Sequence, residues 1–285
     1  MKVWLSVDME GISGLVRWAD VITAGMDFQR NRRFMTADAN AAIAGAFDAG
    51  ATEVVVEENH GVEELCDLVL DEIDPRCTVI RGAGRPAATT MAGLSPQIGV
   101  VLFVGHHARA GSFPGIMAHT VSYDRFREVR VAGAPVGESE IMTIRAGELG
   151  VPVGLVAGDQ VVCAELQKRA PWLETVCVKR ALSNVAAEVI PPERARPLIA
   201  AGARRAVARA LRGELPVYRD QPAPHELEVE LRQPLEEQLR ANLAQLPEFE
   251  VAGDRLVRTV APDMETGFRR IAYLSFGQRG ASLRY

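Results

Sequence analysis

Four of the five histidines in the sequence lie at or soon after the ends of short apolar runs, near several acidic residues. The residues of interest are Asp8, Glu10, His60, His106, His107, His119 and Glu138. Carboxylates and neutral imidazoles are the usual ligands of Zn²⁺ or Mn²⁺ in hydrolytic sites. A carboxylate shared by two metal ions is typical of metal pairs that clamp and activate water. These residue types favour a metal-dependent hydrolase. Their positions alone leave open that the same groups cap loops and bind local backbone.

The apolar runs predict the strands that would bring these residues together. We predict strands at residues 3–7, 53–57, 78–81, 99–104 and 153–157, and helices at 28–49, 63–70 and 138–149. Apolar strands that alternate with helices are typical of a mostly parallel sheet with helices on both faces, which is an α/β fold. In such sheets ligands collect at the carboxyl ends of the strands. The candidate residues would therefore meet at one edge of the sheet.

The pattern of the sequence changes after about residue 180. The part of the chain before this change also contains a predicted hairpin at 129–136. After it, Pro191 and Pro192 open a helix that ends near Gly213, and residues 225–231 alternate as a half-buried strand does. A helix at 235–246 and a hairpin at 249–260 follow. We predict an α/β metal-binding catalytic domain over residues 1–180 and a smaller α+β domain over residues 181–285.

Composition narrows the class of protein. The 285 residues are 48% hydrophobic and 24% charged, which is typical of globular proteins. The net charge of −5 argues against a nucleic-acid partner, since such proteins usually carry a basic excess. The four cysteines form no C-x-x-C pair and suit a reducing compartment. No signal peptide or apolar run of membrane-spanning length is evident. We therefore expect a cytoplasmic protein without a membrane partner.

Several blocks of sequence, in order, resemble the D-aminopeptidase family of binuclear zinc metallopeptidases. The blocks are SVDMEGISG at 6–14, His60, GHHARA at 105–110, PGIMAH at 114–119, PVGE at 135–138 and VAGD at 156–159. The resemblance is strong over residues 1–180 and looser beyond them. It implies two zinc ions per subunit, with Mn²⁺ as an alternative of similar ligand chemistry.

The resemblance also assigns the metal ligands. Asp8 is similar to the carboxylate that bridges the two zinc ions of the family. Glu10 and His60 match the ligands of one ion, and His107 and Glu138 match the ligands of the other. His106 then becomes a neighbour of the site instead of a ligand.

Two features outside the ligand set also bear on the resemblance: a further histidine, and the residues before His60. His119 matches a non-ligand histidine that is implicated in catalysis. The segment from Glu57 to Asn59 departs from the Asn-Asp-Ser type of sequence that we associate with the family. His60 itself is retained, so the departure concerns the hydrogen bonds that would orient the ligands. We interpret Glu57 and Glu58 as solvated charges.

The activity that the resemblance implies is release of the N-terminal residue, D-Ala or another D-amino acid, from short peptides. Metal-activated water would be the nucleophile and His119 would assist. Arg109 is either a partner for a substrate carboxylate or half of a structural salt bridge. The family forms self-compartmentalising decameric rings, so we expect a homo-oligomer. Alternatives are L-specific or relaxed stereochemistry, another binuclear-metal amide or ester hydrolase, and a noncatalytic metal-binding assembly protein.

Overall fold

Two β-sheets organise the computed structural model, which describes residues 1–61, 65–85 and 90–276. The strands are β1 (Lys2–Val7), β2 (Glu53–Glu58), β3 (Thr78–Ile80), β4 (Val100–His106), β5 (Phe126–Val131), β6 (Ala134–Pro135), β7 (Val153–Asp159), β8 (Glu174–Ala181), β9 (Ala187–Val189), β10 (His225–Leu231), β11 (Phe249–Val251) and β12 (Leu256–Ala261). The helices are α1 (Trp18–Val21), α2 (Phe28–Asp48), α3 (Glu138–Glu148), α4 (Gln160–Arg169), α5 (Pro192–Leu211), α6 (Glu237–Leu243) and α7 (Met264–Phe276).

The larger sheet has the order β3-β2-β1-β4-β7-β8-β9 and is parallel except for β9. Strand β1 lies between β2 and β4, with Val7 in register with both Glu58 and Val104. The chain leaves these three strands at the same edge, where Asp8, His60 and His107 follow. The predicted α/β fold with a mostly parallel sheet is confirmed.

Alternation along the central strands separates two hydrophobic cores. Val3, Leu5 and Val7 point into a core closed by α2 and α5. Trp4 and Phe103 point to the opposite face, into a core that includes residues of α3 and α4. Successive side chains of a strand face opposite sides of its sheet, so an apolar strand buried on both faces needs helices on both.

The smaller sheet is antiparallel, with the order β11-β12-β10-β5-β6. Helix α7 packs on β10 and β12 and also contacts α3. Residues of β5, β10 and α7 share the core that contains Trp4 and Phe103. The smaller sheet therefore packs against one face of the larger one.

Some sequence predictions need correction. Residues 65–70 do not form the predicted helix at 63–70, and residues 63 and 64 lie outside the described residues. Helices α1, α4 and α7 and strands β8 and β9 were not predicted. Both sheets draw strands from either side of residue 180, and the domain boundary there stays a prediction. No helix in the described ranges is both long enough and apolar enough to cross a membrane.

The packing of α2 against α5 requires a glycine. A Cβ atom on Gly45 would lie 2.1 Å from the backbone oxygen of Ala200 in α5. Backbone atoms cannot yield to such a contact by changing rotamer, so the two helices would have to separate. Their separation would loosen the core beneath them.

We expect Gly45→Ala to lower the free energy of unfolding by about 1–3 kcal/mol, as overpacking does. The loss should exceed the roughly 1 kcal/mol by which alanine favours a helix. Gly253→Ala is the matched control, because no atom lies within 4 Å of a Cβ there. Denaturant unfolding of both variants measures the difference. Equal stability of the two would contradict the packing argument.

Candidate metal centre

All six predicted ligand and catalytic residues meet at the carboxyl edge of the larger sheet. Their ligand atoms form two groups, each with its atoms within 4.8 Å of one another. One group contains Asp8, Glu10 and His60, and the other contains His107, His119 and Glu138. The first group follows β1 and β2. In the second group, His107 follows β4, His119 lies in the loop beyond it, and Glu138 is the first residue of α3.

The Asp8 carboxylate joins the two groups. Its Oδ1 atom lies 3.4 Å from Nδ1 of His60, and its Oδ2 atom lies 3.4 Å from Nε2 of His107. Glu10 Oε2 is 3.0 Å from the same His60 nitrogen, and Glu138 Oε1 is 3.5 Å from the same His107 nitrogen. Each oxygen of Asp8 thus faces a different imidazole. This is the arrangement expected of a carboxylate shared by two cations.

The backbone sets which ring nitrogen of each histidine faces the cluster. Nε2 of His60 lies 2.7 Å from the carbonyl oxygen of Val21, so it carries a proton and donates to that oxygen. Nδ1 of His107 donates in the same way to the Ala108 carbonyl at 3.0 Å. The opposite nitrogens are then directed toward the carboxylates. A ligating histidine usually donates its other N–H to a carbonyl or carboxylate, which fixes the ring.

The electrostatics of the cluster suit a cation. Burial alone would lower the pKa of His60, but the carboxylates of Glu10 and Asp8 raise it well above its ordinary value. His107 behaves in the same way, because Asp8 and Glu138 outweigh its burial and raise its pKa. Burial would raise the pKa of Glu138, yet His107 lowers it to about 2. Protons on the imidazoles balance the carboxylates here, and metal binding would displace them.

His119 differs from the other two histidines in this cluster. Its Nδ1 donates to the carbonyl of Met117 at 2.8 Å, and its Nε2 lies 3.8 Å from Oε1 of Glu138. Its ring stacks on that of His107 at a centroid distance of 3.9 Å. Burial and the neighbouring His107 lower the pKa of His119. A neutral ring with a proton on Nδ1 leaves Nε2 able to accept a proton or to bind a metal.

The loop that carries His119 is fixed by residues from later elements. Asp159, at the end of β7, accepts from the backbone N–H of Ile116 at 2.7 Å. The backbone N–H of Met117 donates to the carbonyl of Asn184 at 2.8 Å. Met117 adopts a left-handed φ of +47°, a conformation that non-glycine residues keep only when their surroundings hold them.

Asn59 is a residue of the site that sequence reasoning missed. Its Nδ2 atom lies 3.2 Å from Oε2 of Glu138 and 3.4 Å from Oδ2 of Asp8, and donates to both. It therefore links a carboxylate of each group and offsets part of their repulsion. The position of Asn59 directly before the predicted ligand His60 was the signal that could have identified it as a residue of the site.

Lys179 is a second residue that sequence reasoning missed. Its buried ammonium donates to the carbonyl oxygens of Glu10, Ile12 and Leu15 at 2.6, 2.9 and 2.5 Å. Burial lowers the pKa of Lys179 to about 8. The ammonium fixes the loop that presents Glu10. The local sequence around Lys179 does not predict this contact, because it depends on tertiary packing.

Glu57 and Glu58 are buried, so their interpretation as solvated charges is wrong. Glu57 pairs with Arg85 and accepts from the hydroxyl of Ser6 at 3.1 Å. That hydroxyl also lies 3.2 Å from Nε2 of His106. His106 is thus bound behind the site, in a polar network apart from the two ligand groups.

Glu58 and Arg109 have structural partners. Glu58 accepts from the backbone N–H of Leu68 at 3.1 Å and lies 3.4 Å from Arg81. Nε of Arg109 lies 3.6 Å from Glu165, whose carboxylate also accepts from the Arg109 backbone N–H. Of the two roles considered for Arg109, these contacts support the structural salt bridge.

The donor set fits divalent metal ions of the zinc type. Two imidazole nitrogens and three carboxylates converge, and a third imidazole adjoins them. The cluster is buried and acidic, and its histidine rings are oriented by backbone carbonyls. Buried carboxylates are retained when they are paired or coordinate metals.

Comparison with known proteins agrees with this site. A family model described as D-aminopeptidase, peptidase family M55, matches residues 1–273. A D-aminopeptidase of Bacillus subtilis (strain 168) is 36% identical over 199 residues, which cover 70% of this chain and 71% of that protein. The solved structure of the Zn-dependent D-aminopeptidase DppA from Bacillus subtilis, described as a self-compartmentalizing protease, is also similar. It has a TM-score of 0.87 and 29% identity, and the match covers 99% of each chain. The chain belongs to the D-aminopeptidase family.

Proposed function

We propose that this protein is a zinc-dependent aminopeptidase that removes an N-terminal D-residue, D-Ala in the first instance, from short peptides. The observation that carries the proposal is the Asp8 carboxylate, whose two oxygens face histidines of separate ligand groups. Membership of the D-aminopeptidase family and similarity to a solved zinc-dependent member support it.

Five residues would hold the metal ions. We propose that Asp8 bridges them, that Glu10 and His60 bind one, and that His107 and Glu138 bind the other. Two zinc ions held in this way would polarise a peptide carbonyl and lower the pKa of water toward neutrality. Mn²⁺ shares this ligand chemistry. Asn59 and the carbonyls of Val21 and Ala108 orient the ligands.

His119 would move the proton. Its Nδ1–H is held by the Met117 carbonyl, so Nε2 is the atom that accepts a proton during attack and returns it to the leaving amine. The lowered pKa keeps the ring neutral and ready to accept. The stack on His107 holds the ring plane against the ligand group.

We propose further that residues 1–180 act as the catalytic domain and residues 181–285 as an α+β domain, since all six site residues fall in the first part. A cytoplasmic location is consistent with the four cysteines, all of which are free thiols. We also propose a homodecameric ring, as the resemblance to the family implies, and the description of the solved relative as self-compartmentalizing supports an oligomer.

Zinc-loaded protein should release free alanine from D-Ala-D-Ala, and chelation should abolish the release because the metal ions would polarise the peptide carbonyl and activate water. Restored zinc should recover it. L-Ala-L-Ala is the matched control substrate. Cleavage of L-Ala-L-Ala alone would support the metal-dependent mechanism and contradict the preference for a D-residue. A phosphoester substrate tests the alternative of another hydrolase. Bound zinc without cleavage of any peptide would contradict the proposed function.

His119→Gln should lower kcat by about 10²–10⁴-fold, as loss of a general acid–base residue does. Its zinc content, measured by atomic emission, should remain at two ions per subunit. Unchanged turnover would instead favour a noncatalytic role for His119. Loss of zinc would make it a ligand, which its place beside His107 and Glu138 permits.

Asn59→Ala is the complementary variant. Removal of its amide leaves the facing carboxylates of Asp8 and Glu138 without a shared donor, so zinc affinity should fall by about 10–100-fold. Turnover should return at saturating zinc. A defect that excess zinc does not relieve would contradict this positioning role.

Light scattering should give about 310 kDa for ten copies of the 30.9 kDa chain, as a closed ring requires. A mass near that of one chain, at the concentration used for activity, would reject the ring and leave the chemistry of the site untouched.

A further inference from the structure

A row of aromatic rings leads from the buried ligand cluster to the surface. The ring of His119, stacked on His107, meets the edge of Trp18 at a centroid distance of 5.4 Å and an interplanar angle of 66°. Trp18 in turn lies 4.3 Å from the ring of Tyr123. Trp18 is half-buried and Tyr123 is 45% exposed. We call Trp18 and Tyr123 the aromatic track.

An arginine closes the outer end of the aromatic track. The guanidinium carbon of Arg232 lies 5.3 Å from the centroid of the Tyr123 ring, and its Nε donates to the Tyr123 carbonyl at 2.7 Å. Among the residues that the structure describes, Arg232 has no carboxylate partner. Arg127 and Arg130 of β5 are by contrast paired with glutamates of the smaller sheet. The terminal nitrogens of Arg232 therefore remain available to an external anion.

The position of Arg232 is fixed by the smaller sheet. Arg232 follows β10 directly, and its backbone N–H donates to the carbonyl of Arg125 at 2.8 Å. Tyr123 precedes β5, which pairs with β10. The pairing of these two strands thus holds the arginine against the tyrosine. A guanidinium stacked on an aromatic ring keeps its fork of donors directed outward.

We propose that Arg232 binds the C-terminal carboxylate of a short peptide substrate that lies along the aromatic track. This inference rests on the proposed function, which puts the peptide's N-terminal residue at the ligand cluster. The three steps from His119 to Arg232 total at most about 15 Å, the length of about four extended residues. Aromatic faces accept peptide backbone and small side chains, and a guanidinium recognises a carboxylate with two parallel hydrogen bonds. This subsite would therefore add affinity for free peptides of about three to five residues, and D-Ala-D-Ala would be cleaved without that contact.

The test compares a peptide acid with its amide. Zinc-loaded enzyme should cleave D-Ala tetrapeptide with a free C-terminus about tenfold more efficiently, in kcat/KM, than the same peptide with a C-terminal amide. Arg232→Gln should remove that preference by raising KM for the acid alone and leaving kcat unchanged. Arg232→Lys should keep part of it, since the charge remains and the fork is lost.

A structural defect would behave differently, because it would lower activity on acid and amide alike. Arg212→Gln is the matched control. Arg212 lies near Asp48, the last residue of α2, at the opposite edge of the larger sheet. Its replacement should leave the preference for the peptide acid over the amide at the wild-type value.

Two results would overturn the carboxylate subsite while leaving the proposed function intact. One is wild-type enzyme that cleaves acid and amide equally well. The other is Arg232→Gln that retains the wild-type preference. Wild-type enzyme that binds zinc and cleaves no peptide would instead overturn both the proposed function and this inference.

Discussion

The Asp8 carboxylate faces imidazoles from two different loops, and the rest of the site depends on how that side chain is held. Strand β1 lies between β2 and β4, so the residue that follows it is flanked by the ends of both neighbours. The backbone N–H of Asp8 donates to Val104, and that of Asn59 donates to Val7. The register of three parallel strands thus sets the separation of the two ligand groups. Gly105 completes this constraint, since a Cβ atom there would lie 2.1 Å from the Asp8 carbonyl.

Much of this arrangement could be predicted from the sequence. Apolar runs that end just before Asp8, Glu57 and Gly105 identify strands, and parallel strands bring their carboxyl ends together. What the sequence does not reveal is which polar residues face inward. Glu57 and Asn59 are separated by one residue, yet Glu57 joins the network behind the site and Asn59 links the two ligand groups within it. Local sequence also gives no indication that Lys179 returns across the sheet to the loop after β1, because that contact depends on tertiary packing.

The two sheets have different parts in the chemistry. The larger sheet presents Asp8, Glu10, His60 and His107, and their burial keeps water from screening their charges. The smaller sheet leads through β6 into Glu138, the first residue of α3, and it also supports the residues at the outer end of the aromatic track. Residues of β5 and β10 share a core with Trp4 and Phe103 of the larger sheet. That shared core ties the position of Arg232 to the position of His119, so the two ends of the aromatic track are held by one packed unit.

The loop that carries His119 is held by Asn184, and the loop that presents Glu10 is held by Lys179. Asn184 and Lys179 each lie about 65 or more positions after the loops that they hold. Contacts between segments so distant in sequence require closure of a long loop before they form. A ribosome therefore synthesises every predicted ligand before it synthesises Lys179 and Asn184. Both loops can therefore gain these contacts only after synthesis has passed Lys179 and Asn184.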